Sequence, residues 1–183
     1  MSKKLIIVLV IFFWHTYVNA NIKDKIILNL KKTNNMTFNF EQTIDDKTEK
    51  GKCILQYPKK IYCSYSSDKI MVSTGKSLVI KSNKNSEYYI YPLKKTPLEL
   101  ILDKNFLISQ FDGLEERIIE DKYVNFSLKE NNSIINLFFD IKTLQLIGWQ
   151  TEDIYQNLVI TFISNIKVNQ KIDKNIFKLP SIN

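Results

Sequence analysis

Apolar positions along the chain fall into three regimes. Leu5 to Trp14 is an unbroken apolar run behind the cationic pair Lys3 and Lys4, and Val18-Asn19-Ala20 precedes Asn21. That order is the layout of a secretory signal peptide with its cleavage site. The run is well short of the ~20 residues that cross a bilayer as a helix. Residues 1–20 are therefore expected to be removed and residues 21–183 to form one exported domain. The alternative is an uncleaved anchor that tethers the same domain to the inner membrane. From Ile22 the period becomes helical: Ile22, Ile26, Ile27 and Leu30 recur among lysines and asparagines, which predicts one amphipathic helix. At Met36 the period becomes two. Met36, Phe38 and Phe40 alternate with Thr37 and Asn39, the pattern of a strand with one apolar face.

A series of strands follows. Gly51 to Gln56 and Ile61 to Ser66 pair across Pro58, and Lys69 to Ser73 and Ser77 to Ser82 meet at Thr74-Gly75-Lys76. Glu87 to Tyr91 comes next, then Lys122 to Lys129, Ser133 to Asp140, Leu144 to Gln150, Asn157 to Ile163 and a short ending near Phe177. Short connections carrying turn residues point to an antiparallel meander that curls toward a barrel. One segment interrupts it. Thr96-Pro97 reads as an N-cap and first-turn pair, and Leu98, Ile101 and Leu102 follow at helical spacing. A short helix inserted into the meander is predicted there.

Two strands have apolar residues on both faces. In Ser133 to Asp140, Ile135, Leu137 and Phe139 share one face while Ile134 and Phe138 share the other. In Asn157 to Ile163, Leu158, Ile160 and Phe162 oppose Val159 and Ile163. A one-layer sheet of this kind must be covered. The two helices serve one face, and the space beneath them is either a packed core or a cavity for an apolar ligand.

Charge and reactive side chains narrow the function. The net charge is +7, two units of which belong to Lys3 and Lys4. Arg117 is the only arginine, and the lysines are spread over turns and polar strand faces without a basic stripe. This is a solvated surface rather than a nucleic-acid footprint. The single histidine, His15, precedes the expected cleavage site. Histidine-based triads, histidine-bearing zinc sites and the usual general base are therefore excluded from the mature chain. Its four glycines form no phosphate-cradling loop. The acidic pairs Asp45-Asp46, Glu115-Glu116 and Glu120-Asp121 lie in polar stretches, and only a carboxylate-pair hydrolase would need nothing more. No catalytic, metal or cofactor role is expected. Cys53 and Cys63 flank the Pro58 turn. In an oxidising compartment they form a disulfide that staples one hairpin, or else they remain buried thiols.

Several motifs, in order, resemble the LolA family of periplasmic lipoprotein carriers. Phe38-Asn39-Phe40-Glu41-Gln42 is similar to the family's early strand. Gly51 through Ile61 resembles its Gly, strand, Pro-turn, strand signature. Thr74-Gly75-Lys76-Ser77-Leu78 resembles its Gly-Lys hairpin, and Thr96-Pro97-Leu98-Glu99-Leu100-Ile101 its inserted helix. Leu146 to Gln150, and Val168 to Asp173 with Phe177 and Pro180, resemble its closing strands.

The resemblance implies a mainly β fold: an unclosed antiparallel half-barrel covered by the N-terminal helix and a short inserted lid helix. It implies a monomeric periplasmic carrier, not an enzyme. Such a carrier takes acylated lipoproteins from an inner-membrane ATP-driven release complex and passes them toward the outer membrane, where a receptor accepts them. That receptor is itself a lipoprotein with a cysteine at the end of its signal peptide, which this chain lacks. Strand parity and the resemblance together give the expected acyl-binding residues: Phe38, Phe40, Leu55, Ile61, Met71, Leu78, Ile80, Leu98, Ile101 and Trp149. In the family an arginine just before the turn proline latches the lid. Here Tyr57 and Pro58 occupy the latch, with Lys59 or Lys60 as a substitute cation that lacks arginine's fork geometry. The alternative within the same fold is a lipid- or peptide-binding sensor without a trafficking role.

Overall fold

The computed structural model describes residues 21–180 apart from 83, 85, 86, 131, 132 and 154. The expected signal peptide lies outside the described residues. Helix α1 (Ile22–Lys32) opens on the Asn21 side chain, which accepts from the Lys23 amide, and buries Ile26, Ile27 and Leu30. Six strands follow in hairpin order: β1 (Asn35–Ile44), β2 (Lys47–Gln56), β3 (Lys60–Tyr65), β4 (Lys69–Thr74), β5 (Ser77–Ser82) and β6 (Tyr88–Pro92). After a 3-10 turn come the inserted helices α2 (Leu98–Leu102) and α3 (Lys104–Phe111). The chain returns through β7 (Arg117–Ile119), β8 (Tyr123–Glu130), β9 (Ser133–Asp140), β10 (Leu146–Glu152) and β11 (Leu158–Val168).

The eleven strands form one sheet in the order β6-β5-β4-β3-β2-β1-β11-β10-β9-β8-β7. Every neighbouring pair is antiparallel, and β11 docks on β1 with Phe40 opposite Ile163. The sheet therefore curls without closing: β6 and β7 are its two edges, and the inserted helices connect them across the concave side. The mainly β half-barrel with covering helices is the architecture expected.

The concave side is filled unequally. Over β8 and β9, Phe111 of α3 packs edge-on against Phe126 and Phe139, with ring centroids 4.6 and 5.9 Å apart. Leu107, Val124, Leu137 and Ile26 are also fully buried. Over β1 to β5 no helix of comparable bulk is inserted. The choice between packed core and cavity is thus resolved by halves.

The convex side is also uneven. Val72 and Val79, paired across β4 and β5, are buried although their parity faces outward. The C-terminal 3-10 turn Lys174–Phe177 packs on β3 and β4, and the Tyr88 hydroxyl donates to Pro180 O at 2.9 Å. Farther along that side, Ile134, Leu158 and Phe162 are exposed.

Several local expectations differ from the structure. Strand β2 begins at Lys47, before the expected Gly51, and β11 continues five residues past Ile163. The ending near Phe177 is a 3-10 turn rather than a strand. Helix α3 and strand β7 have no counterpart in the sequence reading. Thr96 does not cap α2: its hydroxyl donates backward to Leu93 O at 2.8 Å, and no side chain caps that helix.

Candidate functional site

Period-two alternation in β1 to β5 sends one set of side chains to the concave side. Their far ends enclose a cavity of about 320 Å³ between the sheet and α2. Its size is at the lower end of the roughly 300–1,000 Å³ typical of ligand sites. Phe38 and Phe40 come from β1, Ile61 from β3, Met71 from β4, and Leu78 and Ile80 from β5. Leu98 and Ile101 reach down from α2, and Trp149 closes the side toward β10. These are nine of the ten residues expected to face an acyl chain. Leu55 is the exception. It is 1% exposed and does not line the cavity; it belongs to the packed layer.

The floor depends on Gly51. A Cβ there would meet the backbone oxygen of Ser64 and lie 2.7 Å from the Phe40 ring. With hydrogen in that place, the Phe40 and Tyr65 rings pack edge-to-face at 4.8 Å. Cys53 and Cys63 are register partners on this wall, and a disulfide joins them. Both sulfur residues line the cavity, so the bridge adds apolar surface as well as a cross-link.

At the α2 end the closing contact is made by Lys59. Its Nζ lies 2.8 Å from Glu99 Oε1 and 3.1 Å from Asp103 Oδ2, and its amide donates to Leu102 O at 2.9 Å. Hydrogen bonds to Glu99 and then Asp103 hold the ammonium above the usual lysine pKa. Asp103 also accepts from the Phe106 amide at 3.1 Å, capping α3. Tyr57, placed by the sequence at the latch, makes no such contact. Its hydroxyl is buried without a partner among the described residues, and burial pushes its pKa well up. Pro58 follows through a cis peptide bond and is exposed. Lys104 sits 5.5 Å from the Tyr57 ring centre and donates to Thr33 O, fixing the end of α1.

The opposite end is polar, and the sequence reading did not name its residues. Glu49, Lys69, Glu152, Asp153 and Tyr155 line it. Glu49 Oε2 and Lys69 Nζ are 2.6 Å apart, and the same ammonium lies 4.1 Å from the Tyr65 ring centre. The Tyr65 phenol is raised by burial and by Glu49. Burial alone would raise the Asp153 carboxyl. Hydrogen bonds from the Asn157 amide and side chain and from the Tyr155 amide outweigh it and hold the carboxyl below its usual value. Glu49 shares the parity of Cys53, so continuing the β2 alternation backward was the available signal. No group of three or more His, Cys, Asp or Glu among the described residues is placed to hold a metal. Of the acidic pairs weighed for catalysis, none lines the cavity.

Residues 31–180 match the family of the outer membrane lipoprotein carrier protein LolA. No curated protein sequence matches the chain significantly. Among solved structures, a LolA superfamily protein from Nitrosomonas europaea is similar at 9% identity, with 87% of this chain and 99% of that one covered and a TM-score of 0.47. A putative outer membrane lipoprotein-sorting protein domain from Vibrio parahaemolyticus is similar at 6% identity, covering 86% and 97%, with a TM-score of 0.47. MucB is similar at 10% identity with a TM-score of 0.50; 87% of this chain covers 62% of that one. At such identities the last likeness shows the fold alone, whereas the family match spans most of the chain. The chain belongs to the LolA family of outer membrane lipoprotein carrier proteins.

Proposed function

We propose that this protein is a periplasmic carrier that holds a lipoprotein acyl chain in the cavity under α2 and moves it from the inner toward the outer membrane. The observation that carries this reading is the unfilled apolar space on one half of a sheet whose other half is tightly packed. An apolar cavity of about 150 Å³ holds one benzene, so about 320 Å³ takes roughly twelve carbons, most of one chain. Burial of those methylenes is worth roughly 10 kcal/mol before the cost of ordering the chain. That is enough to hold a lipid in water without bond chemistry. A second or third chain needs α2 to move, and the Lys59 contacts set the resistance to that motion. An ATP-driven inner-membrane complex loads the carrier, and an outer-membrane acceptor empties it.

The test is release. Spheroplasts that retain a labelled, mature lipoprotein in the inner membrane are incubated with this protein. A carrier brings the lipoprotein into the supernatant as a complex with itself. A sensor of the same fold binds lipid or peptide in isolation but leaves the lipoprotein in the membrane, and that result would reject the trafficking role.

A further inference from the structure

Strand β6 is a sheet edge without a guard. Its register with β5 runs unbroken from Ser77 opposite Pro92 to Lys81 opposite Tyr88. The Ser82 amide donates to Glu87 O and the Leu93 amide to Lys76 O, both at 2.9 Å. Bonded pairs alternate along an antiparallel ladder, so Glu87, Tyr89, Tyr91 and Leu93 turn their backbone groups toward β5. Tyr88, Ile90 and Pro92 turn theirs away. The amides of Tyr88 and Ile90 and the carbonyls of all three are therefore left without a backbone partner among the described residues. Exposed edges are normally blunted by charge, a bulge or brevity. The other edge, β7, is three residues long and carries Arg117. β6 has no charged side chain and no bulge, and its proline stands only at the end. Tyr89 and Ile90 are about half exposed. The C-terminal segment meets β6 at the Tyr88 hydroxyl, which donates to Pro180 O, and leaves the edge uncovered. The same strand is the outer wall of the cavity. Tyr91 lines the cavity, Tyr89 stacks on it with ring centroids 6.5 Å apart, and no strand pairs beyond β6. A chain that leaves the cavity across this wall runs past the free amides.

We propose that β6 takes the polypeptide of the cargo as a further strand: the residues that follow the acylated end of a lipoprotein pair along Tyr88–Pro92. The inference rests on the acyl-cavity reading and names what the protein grips outside the cavity. Magnitudes select this occupant. A stable interface with a free partner buries about 1,000 Å² or more, and an edge strand roughly 17 Å long offers less to a loose peptide or to a second copy of the chain. A peptide whose acyl chain already sits in the cavity is held at an effective concentration near the millimolar range, where weak pairing suffices. Main-chain bonds supply the grip, so it reads an extended backbone rather than a particular sequence. The uncharged side chains of β6 favour an uncharged segment opposite them.

The experiment uses the full chain carrying Trp14→Phe, which leaves Trp149 on the cavity wall as the only tryptophan. Its fluorescence is followed during titration with monomyristoylglycerol, with a myristoylated peptide of uncharged, β-prone residues, and with the same lipopeptide N-methylated throughout so that its backbone donates nothing. Cross-strand pairs are worth roughly one-and-a-half- to fivefold each, so the unmodified lipopeptide should bind about tenfold more tightly than the other two. Amide hydrogen exchange of Tyr88 and Ile90, fast in the protein alone, should slow with that lipopeptide and not with the glyceride. Ile90→Pro removes an outward amide without touching a bond to β5, and should bring the lipopeptide to the glyceride's affinity while leaving the latter unchanged. Equal affinities for all three ligands, with exchange at Tyr88 and Ile90 unaltered, would overturn strand addition while leaving the cavity standing. Protection of those amides that grows with protein concentration in the absence of ligand would assign the edge to a second copy and overturn the cargo strand. Absence of binding by all three, the glyceride included, would overturn the acyl cavity and the inference with it.

Discussion

The Tyr57 hydroxyl is out of water and donates to nothing among the described residues. A buried donor left unpaired costs about 1–3 kcal/mol, and replacing it by hydrogen keeps the ring. Tyr57→Phe should therefore leave stability unchanged or raise it by up to about 1 kcal/mol, read as a higher denaturant midpoint at constant slope. A hydroxyl that held the lid would instead give a lower midpoint. Gly51 is the opposite case, because its missing Cβ is already occupied by the Ser64 backbone and the Phe40 ring. Gly51→Ala should cost about 2–3 kcal/mol and separate the Phe40 and Tyr65 rings. Of the two residues, the sequence marked Gly51 as part of a motif without its reason. It placed Tyr57 and Pro58 at the latch from the family's position before the turn proline, with Lys59 or Lys60 as a substitute cation. The Tyr57 ring is directed into the interior, and it is the ammonium of Lys59, two residues on, that meets the Glu99 and Asp103 carboxylates.

At the scale of elements, α2 is short, has no side-chain cap and is held from below by Lys59. A lysine whose folded pKa is raised contributes stability that is complete below the unfolded value, roughly 10.4. That contribution is lost as pH rises through the folded value. Lys59→Met should lower stability by about 1 kcal/mol, the upper end for a partly exposed pair. The gap between wild type and variant should stay constant from neutral pH to about 10 and close above that. A gap that persisted at higher pH would mean that packing, not charge, is lost. The elements that the sequence displayed are those with an apolar face: α1 through Ile26 and Leu30, β1 through Phe38 and Phe40. The first four residues of β2, Lys47 to Lys50, have no apolar residue on either face. They are strand because β1 pairs with them, from Glu41 opposite Lys50 to Ile44 opposite Lys47. Strand β7 is three residues long, too short for a period to register. Helix α3 did carry a signal, an Asp103 cap before Phe106, Leu107 and Phe111, but it is only two turns long.

For the whole molecule, the central feature is the division of the concave side. Phe111, Phe126 and Phe139 make one half a core, while the half above β1 to β5 is open. Parity told which residues face inward, and nine of the ten chosen do reach the cavity. It did not tell which inward residues meet helix and which meet empty space, because that depends on where α3 settles. Substitutions on the two halves should behave differently. Phe111→Ala should cost about 3–5 kcal/mol. Leu78→Phe, which adds bulk into open space, should change stability by less than about 1 kcal/mol while weakening acyl binding. Equal destabilisation by both would mean that the cavity is a core under another name.

The most direct test of the carrier account is native mass spectrometry of residues 21–183 with a triacylated lipoprotein and with its unacylated form. The account predicts a one-to-one complex with the acylated protein alone, lost in Leu78→Phe. Equal binding of both forms, or of neither, would contradict an acyl-binding cavity and leave a LolA-family fold serving a different ligand.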